Sequence, residues 1–141
     1  FLATGGPEYM LEFAHGYTYS AHPIACAAGN AVLELLQQEQ APERVQALAP
    51  VLERAVHGLH NAPHVLDIRN FGLAAGLSIA PWPGEPARRP YEVAMKCWEK
   101  GFYVRYGGDT LQLAPPFIST EAEIESLVSA LGDALVETAR S

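Results

Sequence analysis

After Pro23, the apolar residues Ile24, Ala28, Ala31 and Leu35 recur at the spacing of one helix face. Pro23 suits the first turn of that helix, where its missing N–H would find no partner in any case, and Ser20 or His22 stands where an N-cap belongs. A second stripe, Val45, Leu48, Leu52, Val56 and Leu59, opens at Pro42, and Pro50 is expected to kink or divide it. The period then drops to two. "VLDIR" predicts a strand with Leu66 and Ile68 on one face, and "LAAGLSIA" predicts another, with Gly72 between them. Pro81, Pro83, Gly84 and Pro86 mark a loop. A third helix from Pro90 to Lys100 carries Tyr91, Ala94, Met95 and Trp98, with Gly101 at the position of a C-terminal glycine cap. "FYVRY" and "TLQLA" alternate as two short strands joined by "GGD", a hairpin signal. Thr120 and Glu123 form a capping box ahead of a last helix whose Ile124, Leu127, Leu131 and Leu135 face inward.

Residues 1–21 have no regular period and contain Gly5, Gly6, Pro7 and Gly16, so they read as an extended arm. The order arm, α, α, β, β, α, β, β, α predicts an α+β fold: a small antiparallel or mixed sheet with helices on one face. The 141 residues are the size of one ordinary domain, and 49% hydrophobic content is enough for a core. The formal net charge of −7 and the scatter of the nine basic residues argue against nucleic acid as a partner. No apolar run approaches the ~20 residues of a membrane span. Cys26 and Cys97 are far apart, each inside an apolar helical pattern, and read as reduced core thiols of a cytoplasmic protein. The chain starts at Phe1 rather than Met and is read as part of something longer.

Four groups of residues are candidates for chemistry. In "HGYTYSAHP" the hydroxyls of Thr18, Tyr19 and Ser20 precede a helix N-terminus, an arrangement suited to a phosphate; equally, Ser20 caps the helix and the tyrosines pack. In "FYVRYGG" the alternation puts Phe102, Val104 and Tyr106 on one face and Tyr103 and Arg105 on the other. The forked guanidinium of Arg105 suits a carboxylate, or it lies on the tyrosine rings in solvent. His57, His60 and His64 have a metal-like spacing, but Asn61 and Pro63 interrupt it and no cysteine or carboxylate completes a ligand set, so no metal is assigned. Lys96 and Lys100, the two lysines of the chain, are four apart on one helix and read as solvated rather than as reactive amines. No catalytic residue is assigned within the chain.

Three stretches, "PEYMLEFAHGYTYSAHPIACAAGNAVLELL", "VLDIRNFGLAAGLSIAP" and "GFYVRYGGDTLQLAPPF", resemble in order the C-terminal portion of class III aminotransferases, in particular the ω-amino acid:pyruvate (β-alanine:pyruvate) transaminase group. The resemblance implies a fold type I enzyme that uses pyridoxal 5′-phosphate and works as a homodimer or larger homo-oligomer. It assigns residues 1–38 to the end of the large cofactor-binding domain and 39–141 to the small C-terminal domain. It implies that the Thr18 hydroxyl, with the Tyr17 backbone beside it, binds the cofactor phosphate of the neighbouring subunit. It implies that Arg105 binds the substrate carboxylate and swings away from substrates that lack one. The family's Schiff-base lysine lies upstream of this region, and neither Lys96 nor Lys100 stands in its motif. The chain alone is therefore expected to be inactive. The competing expectation is a non-catalytic binding or assembly module from a truncated aminotransferase.

Overall fold

Four strands pair in the order β1-β2-β4-β3, antiparallel throughout: β1 (Val65–Phe71), β2 (Ala74–Ile79), β3 (Arg105–Gly107) and β4 (Thr110–Leu113). The helices are α1 (Pro23–Gln38), α2 (Ala41–His57), α3 (Arg88–Glu99) and α4 (Glu121–Thr138). The computed structural model describes residues 18–140, which fall into two compact units divided between Glu39 and Gln40. The first unit contains α1. The second contains the sheet and the other three helices, the α+β arrangement expected.

Alternation along the strands builds the core of the second unit. Ile68, Leu77 and Leu111 are register partners across β1, β2 and β4, and all three are buried. Ala75 and Leu113 form the adjacent buried row. Against this face pack Leu48, Leu52 and Val56 of α2, Val93 and Cys97 of α3, and Ile124, Leu131 and Leu135 of α4. No buried side-chain nitrogen or oxygen among the described residues is left without a partner, so this core lacks the destabilising contribution of an orphaned polar group.

Several expectations change. Leu66 does not share a face with Ile68: it is 62% exposed. Val65 pairs with Ile79 and Asp67 with Ser78, so Leu66 is the extra residue of a β-bulge and turns away from the core. Pro50 does not divide α2, which runs unbroken from Ala41 to His57. Pro50 is exposed, so the carbonyl it leaves unpaired faces water. On α3 the buried positions are Pro90, Val93, Ala94 and Cys97, while Tyr91, Met95 and Trp98 are exposed. The strand in "FYVRY" begins only at Arg105. Cys26 is exposed, so the reading of a core thiol holds for Cys97 alone.

The element ends follow local chemistry. Gly101, at φ +88°, closes α3: its N–H donates to Trp98 O (2.9 Å) and the Phe102 N–H to Cys97 O (2.9 Å), the paired bonds of a Schellman motif. In the capping box of α4 the Glu123 N–H donates to Thr120 Oγ1 (3.3 Å), and Glu123 Oε2 accepts from the Thr120 N–H (2.7 Å). The Thr120 N–H, and then the Thr120 hydroxyl that donates to the same oxygen (2.9 Å), hold the Glu123 carboxyl below its ordinary value of 4.5. The Lys100 ammonium does the same for Glu137, through a 2.8 Å bond between the end of α3 and the last turn of α4.

Two outcomes follow from this packing. Leu77→Ala, at the centre of the buried row, lowers the unfolding free energy by about 3 kcal/mol in urea titrations followed by tryptophan fluorescence; a loss under about 1 kcal/mol would show that Leu77 is not at the centre of the core. Because the Glu123 and Glu137 carboxyls are depressed in the folded state, the stability they contribute is complete above their unfolded value near 4.5 and is lost as pH falls through the folded values. Glu123→Gln therefore flattens the acid limb of the stability profile below about pH 4.5 while leaving its slope near neutrality unchanged.

Candidate functional site

β3 is one of the two edge strands of the sheet, and it positions Arg105. Val104 is buried among the core residues, so the two-residue period turns Arg105 to the face opposite the one on which α2, α3 and α4 pack, the open face of the second unit. Its register partner on β4 is Gln112, between buried Leu111 and Leu113. The partner of Gln112 on β2 is Gly76, and that of Gly76 on β1 is Arg69. Arg69, Gly76, Gln112 and Arg105 thus form one row across the open face.

The two cations of this row have different surroundings. Arg69 Nη1 donates to Asp67 Oδ2 (3.1 Å) and to Ser78 Oγ (2.8 Å). Its Cζ is 3.6 Å from where a Cβ on Gly76 would stand, so the guanidinium lies against the bare backbone of β2. Arg105 is exposed, and among the described residues its side chain has no hydrogen bond and no ion pair. The neighbouring tyrosines are turned to α3. Tyr106 meets Tyr91 edge-on at 5.7 Å, and Tyr103 meets Trp98 edge-on at 6.3 Å. A depression of about 460 Å³ on the open face is lined by Arg69, Phe71, Ala74, Gly76, Gln112 and Ala114. A separate cleft of about 590 Å³, lined by Phe102, Tyr103, Pro115, Ile118 and Leu127, is mostly apolar and does not include Arg105.

Thr18 belongs to the first unit. It is exposed in the turn that leads into α1, where Ala21 has a left-handed φ of +59° and the His22 N–H donates to Tyr19 O (3.3 Å). His22 holds the N-cap position, but neither its side chain nor that of Ser20 caps the helix. Pro23 occupies the first turn as expected. Tyr17 lies outside the described residues. Thr18 and Arg105 are each described within their own unit.

Three of the remaining candidates, Lys96, Lys100 and His57, are engaged elsewhere. Lys96 Nζ bonds Glu99 Oε2 (2.7 Å) and Lys100 Nζ bonds Glu137 Oε1 (2.8 Å). These acceptors raise both lysine pKa values, the opposite of the depression that makes a lysine nucleophilic. Burial pushes the Cys97 thiol up to about 11, so it stays protonated at neutral pH. His57 Nε2 is 2.9 Å from Asn70 Oδ1. No group of three histidine, cysteine or acidic side chains among the described residues is arranged to hold a metal ion, and no described helix is long and apolar enough to cross a membrane.

Sequence reasoning found Arg105 but not Gln112, Gly76 or Arg69. The signal was the length of the turn. Reading "GGD" as a two-residue Gly108–Asp109 turn pairs Gly107 with Thr110 and hence Arg105 with Gln112. Gly108, at φ +59°, is where such a turn needs its glycine.

Comparison with known proteins gives these features a context. The chain is 50% identical over 135 residues to the β-alanine–pyruvate aminotransferase of Pseudomonas aeruginosa, covering 96% of this chain and 30% of that protein. It is 52% identical over 135 residues to the ω-amino acid–pyruvate aminotransferase of Pseudomonas putida, with the same coverage. The chain thus spans about 30% of the length of these relatives. A PMP-bound aminotransferase from Vibrio fluvialis superposes with a TM-score of 0.79 at 27% identity, over 92% of this chain and 30% of that one. The model of the class-III aminotransferases matches residues 2–135. This chain belongs to the class-III aminotransferase family.

Proposed function

We propose that this chain supplies the substrate- and phosphate-recognition elements of a pyridoxal-phosphate-dependent aminotransferase that moves an amino group from an ω-amino acid or amine, such as β-alanine, to pyruvate. The observation that carries this reading is Arg105: an exposed arginine with no intramolecular partner among the described residues, on an edge strand, within "VRYGGD". The names of the two Pseudomonas relatives, at 50% and 52% identity, support the reaction class.

The residues present fit one end of the cofactor. A phosphate is held by hydroxyls and by N–H groups at the start of a helix. Thr18 offers an exposed hydroxyl just before α1, whose first turn has no side-chain cap, and the backbone of Tyr17 adjoins it in sequence. The carbonyl end needs an amine that is neutral at working pH. Lys96 and Lys100 are held protonated by Glu99 and Glu137, so we assign the reactive lysine to sequence outside these 141 residues. When bound, the cofactor supplies the carbonyl that accepts the amino group and the electron sink for the deprotonated substrate. The role of Arg105 is orientation. A two-pronged bond to the substrate carboxylate fixes one end of an ω-amino acid and so directs the distant amine.

The same reading assigns residues 1–38 to the large domain and 39–141 to the small one. It places Thr18 at the cofactor of the neighbouring subunit in a homodimer or larger homo-oligomer. A cytoplasmic setting belongs to it too, supported by two cysteines that are not paired with each other.

Three measurements test the proposal. In the full-length enzyme that carries this segment, Arg105→Ala raises KM for β-alanine on the order of 10- to 100-fold, the cost of a lost charge-assisted pair, and leaves KM for a primary amine without a carboxylate within about twofold; an equal rise for both would exclude carboxylate recognition by Arg105. Thr18→Ala weakens retention of the cofactor about tenfold, read from its absorbance after dialysis. Residues 1–141 purified alone neither develop the absorbance of a lysine-bound cofactor nor transaminate β-alanine with pyruvate, and activity in that preparation would show that the reactive amine lies within the chain.

A further inference from the structure

We propose that Gln112 is a positioning residue for Arg105: it sets a neutral carboxamide rather than a carboxylate opposite the guanidinium, so that the charge stays available to a substrate carboxylate. This rests on the reading of Arg105 given above and goes beyond it by naming the residue that keeps the arginine usable.

Register is the first ground. Gln112 and Arg105 are direct partners in the antiparallel β3–β4 pair, so their side chains leave the same face with Cβ atoms ~5 Å apart, close enough to interact. Next is the direction of the glutamine. Gln112 Nε2 lies 3.4 Å from the position a Cβ on Gly107 would occupy, so its carboxamide leans toward β3 across a glycine that leaves it room. A contrast within the row completes the case. Arg69, at the far end, has Asp67 on the same face and strand, and it is bound to that carboxylate at 3.1 Å. Arg105 has glycine at the equivalent place two residues on, Gly107, and a neutral carboxamide opposite. Gln112 is uncharged and does not compete as an ion-pair partner. A carboxylate at position 112 would pair with Arg105 and compete with the substrate.

The test is a set of variants of the full-length enzyme. Gln112→Glu raises KM for β-alanine about fivefold, the size of a cross-strand charge pair that substrate must displace. It leaves kcat within about twofold, and KM for a primary amine without a carboxylate unchanged. Gln112→Leu, which also adds no charge, leaves KM for β-alanine within about twofold and again spares the amine. In an Arg105→Ala background, Gln112→Glu adds nothing to the KM for β-alanine, since its partner is gone. The proposal is overturned if Gln112→Glu leaves KM for β-alanine unchanged, if it raises both KM values together, or if its effect persists without Arg105. The underlying reading of Arg105 fails by a separate result, an unchanged KM for β-alanine in Arg105→Ala alone.

Discussion

Burial of one face of the four-stranded sheet is the constraint on which the rest depends. A strand alternates strictly, so each residue given to the core decides the direction of its neighbours. Leu111 and Leu113 are buried, and Gln112 between them points away. Val104 is buried, and Arg105 follows onto the open side. Ala75 and Leu77 are buried, and Gly76 faces out between them. A functional side chain on this sheet is therefore placed by its apolar neighbours. Any change that slipped β3 by one residue against β4 would turn Arg105 toward the core face and Tyr106 away from it, at a cost of several kcal/mol for the charge alone.

Much of this was legible in the sequence. The helical stripes of α2 and α4, the capping box at Thr120, the glycine cap at Gly101 and the alternation around Arg105 each depend on neighbours a few residues away, and a periodic pattern records such neighbours directly. What escaped needed distant partners. The bulge at Leu66 appears only when β1 is laid against β2, because the two-for-one step is a property of the pair. The buried stripe of α3 was misplaced for a related reason: Tyr91, Met95 and Trp98 are apolar at helical spacing, yet the stripe that meets the core runs through Val93, Ala94 and Cys97. The continuity of α2 through Pro50 depends on which side of the helix faces water. In the candidate site, Arg105 was visible through its motif and its alternation, whereas Gln112 needed the register of the hairpin.

Charge placement divides the cations into two kinds. Lys96, Lys100, Arg69 and Arg88 each hold a carboxylate of this chain, and Arg89 is bound to the carbonyls of Ala80 and Pro81 and stacks on Trp82. These pairs tie loop to helix or helix to helix, and as exposed pairs each contributes at most about 1 kcal/mol. Arg105, like Arg44 and Arg54 of α2, joins no such pair among the described residues, and it alone of the three stands on the sheet. An arginine on an edge strand does protect that edge from pairing with another chain, but edge protection calls for a charge alone and is compatible with an ion pair. Among the described residues no acidic side chain pairs with Arg105, which on the proposed reading leaves it to an external anion.

Recognition by Arg105 also sets a condition on its surroundings. In water, a guanidinium and a carboxylate attract each other by only about 1 kcal/mol, and salt screens even that. The same pair in a partly dry pocket is worth several times more. Arg105 is exposed on the sheet as described, so on the proposed reading its selectivity for carboxylates arises only where further polypeptide excludes water from the open face. That face carries the features such a covering needs: glycines at positions 76 and 107 that permit close approach, and a row of polar side chains able to hydrogen-bond once dry. On that reading, a face sealed by the helices of the second unit would bury the arginine and leave a substrate no way to reach it.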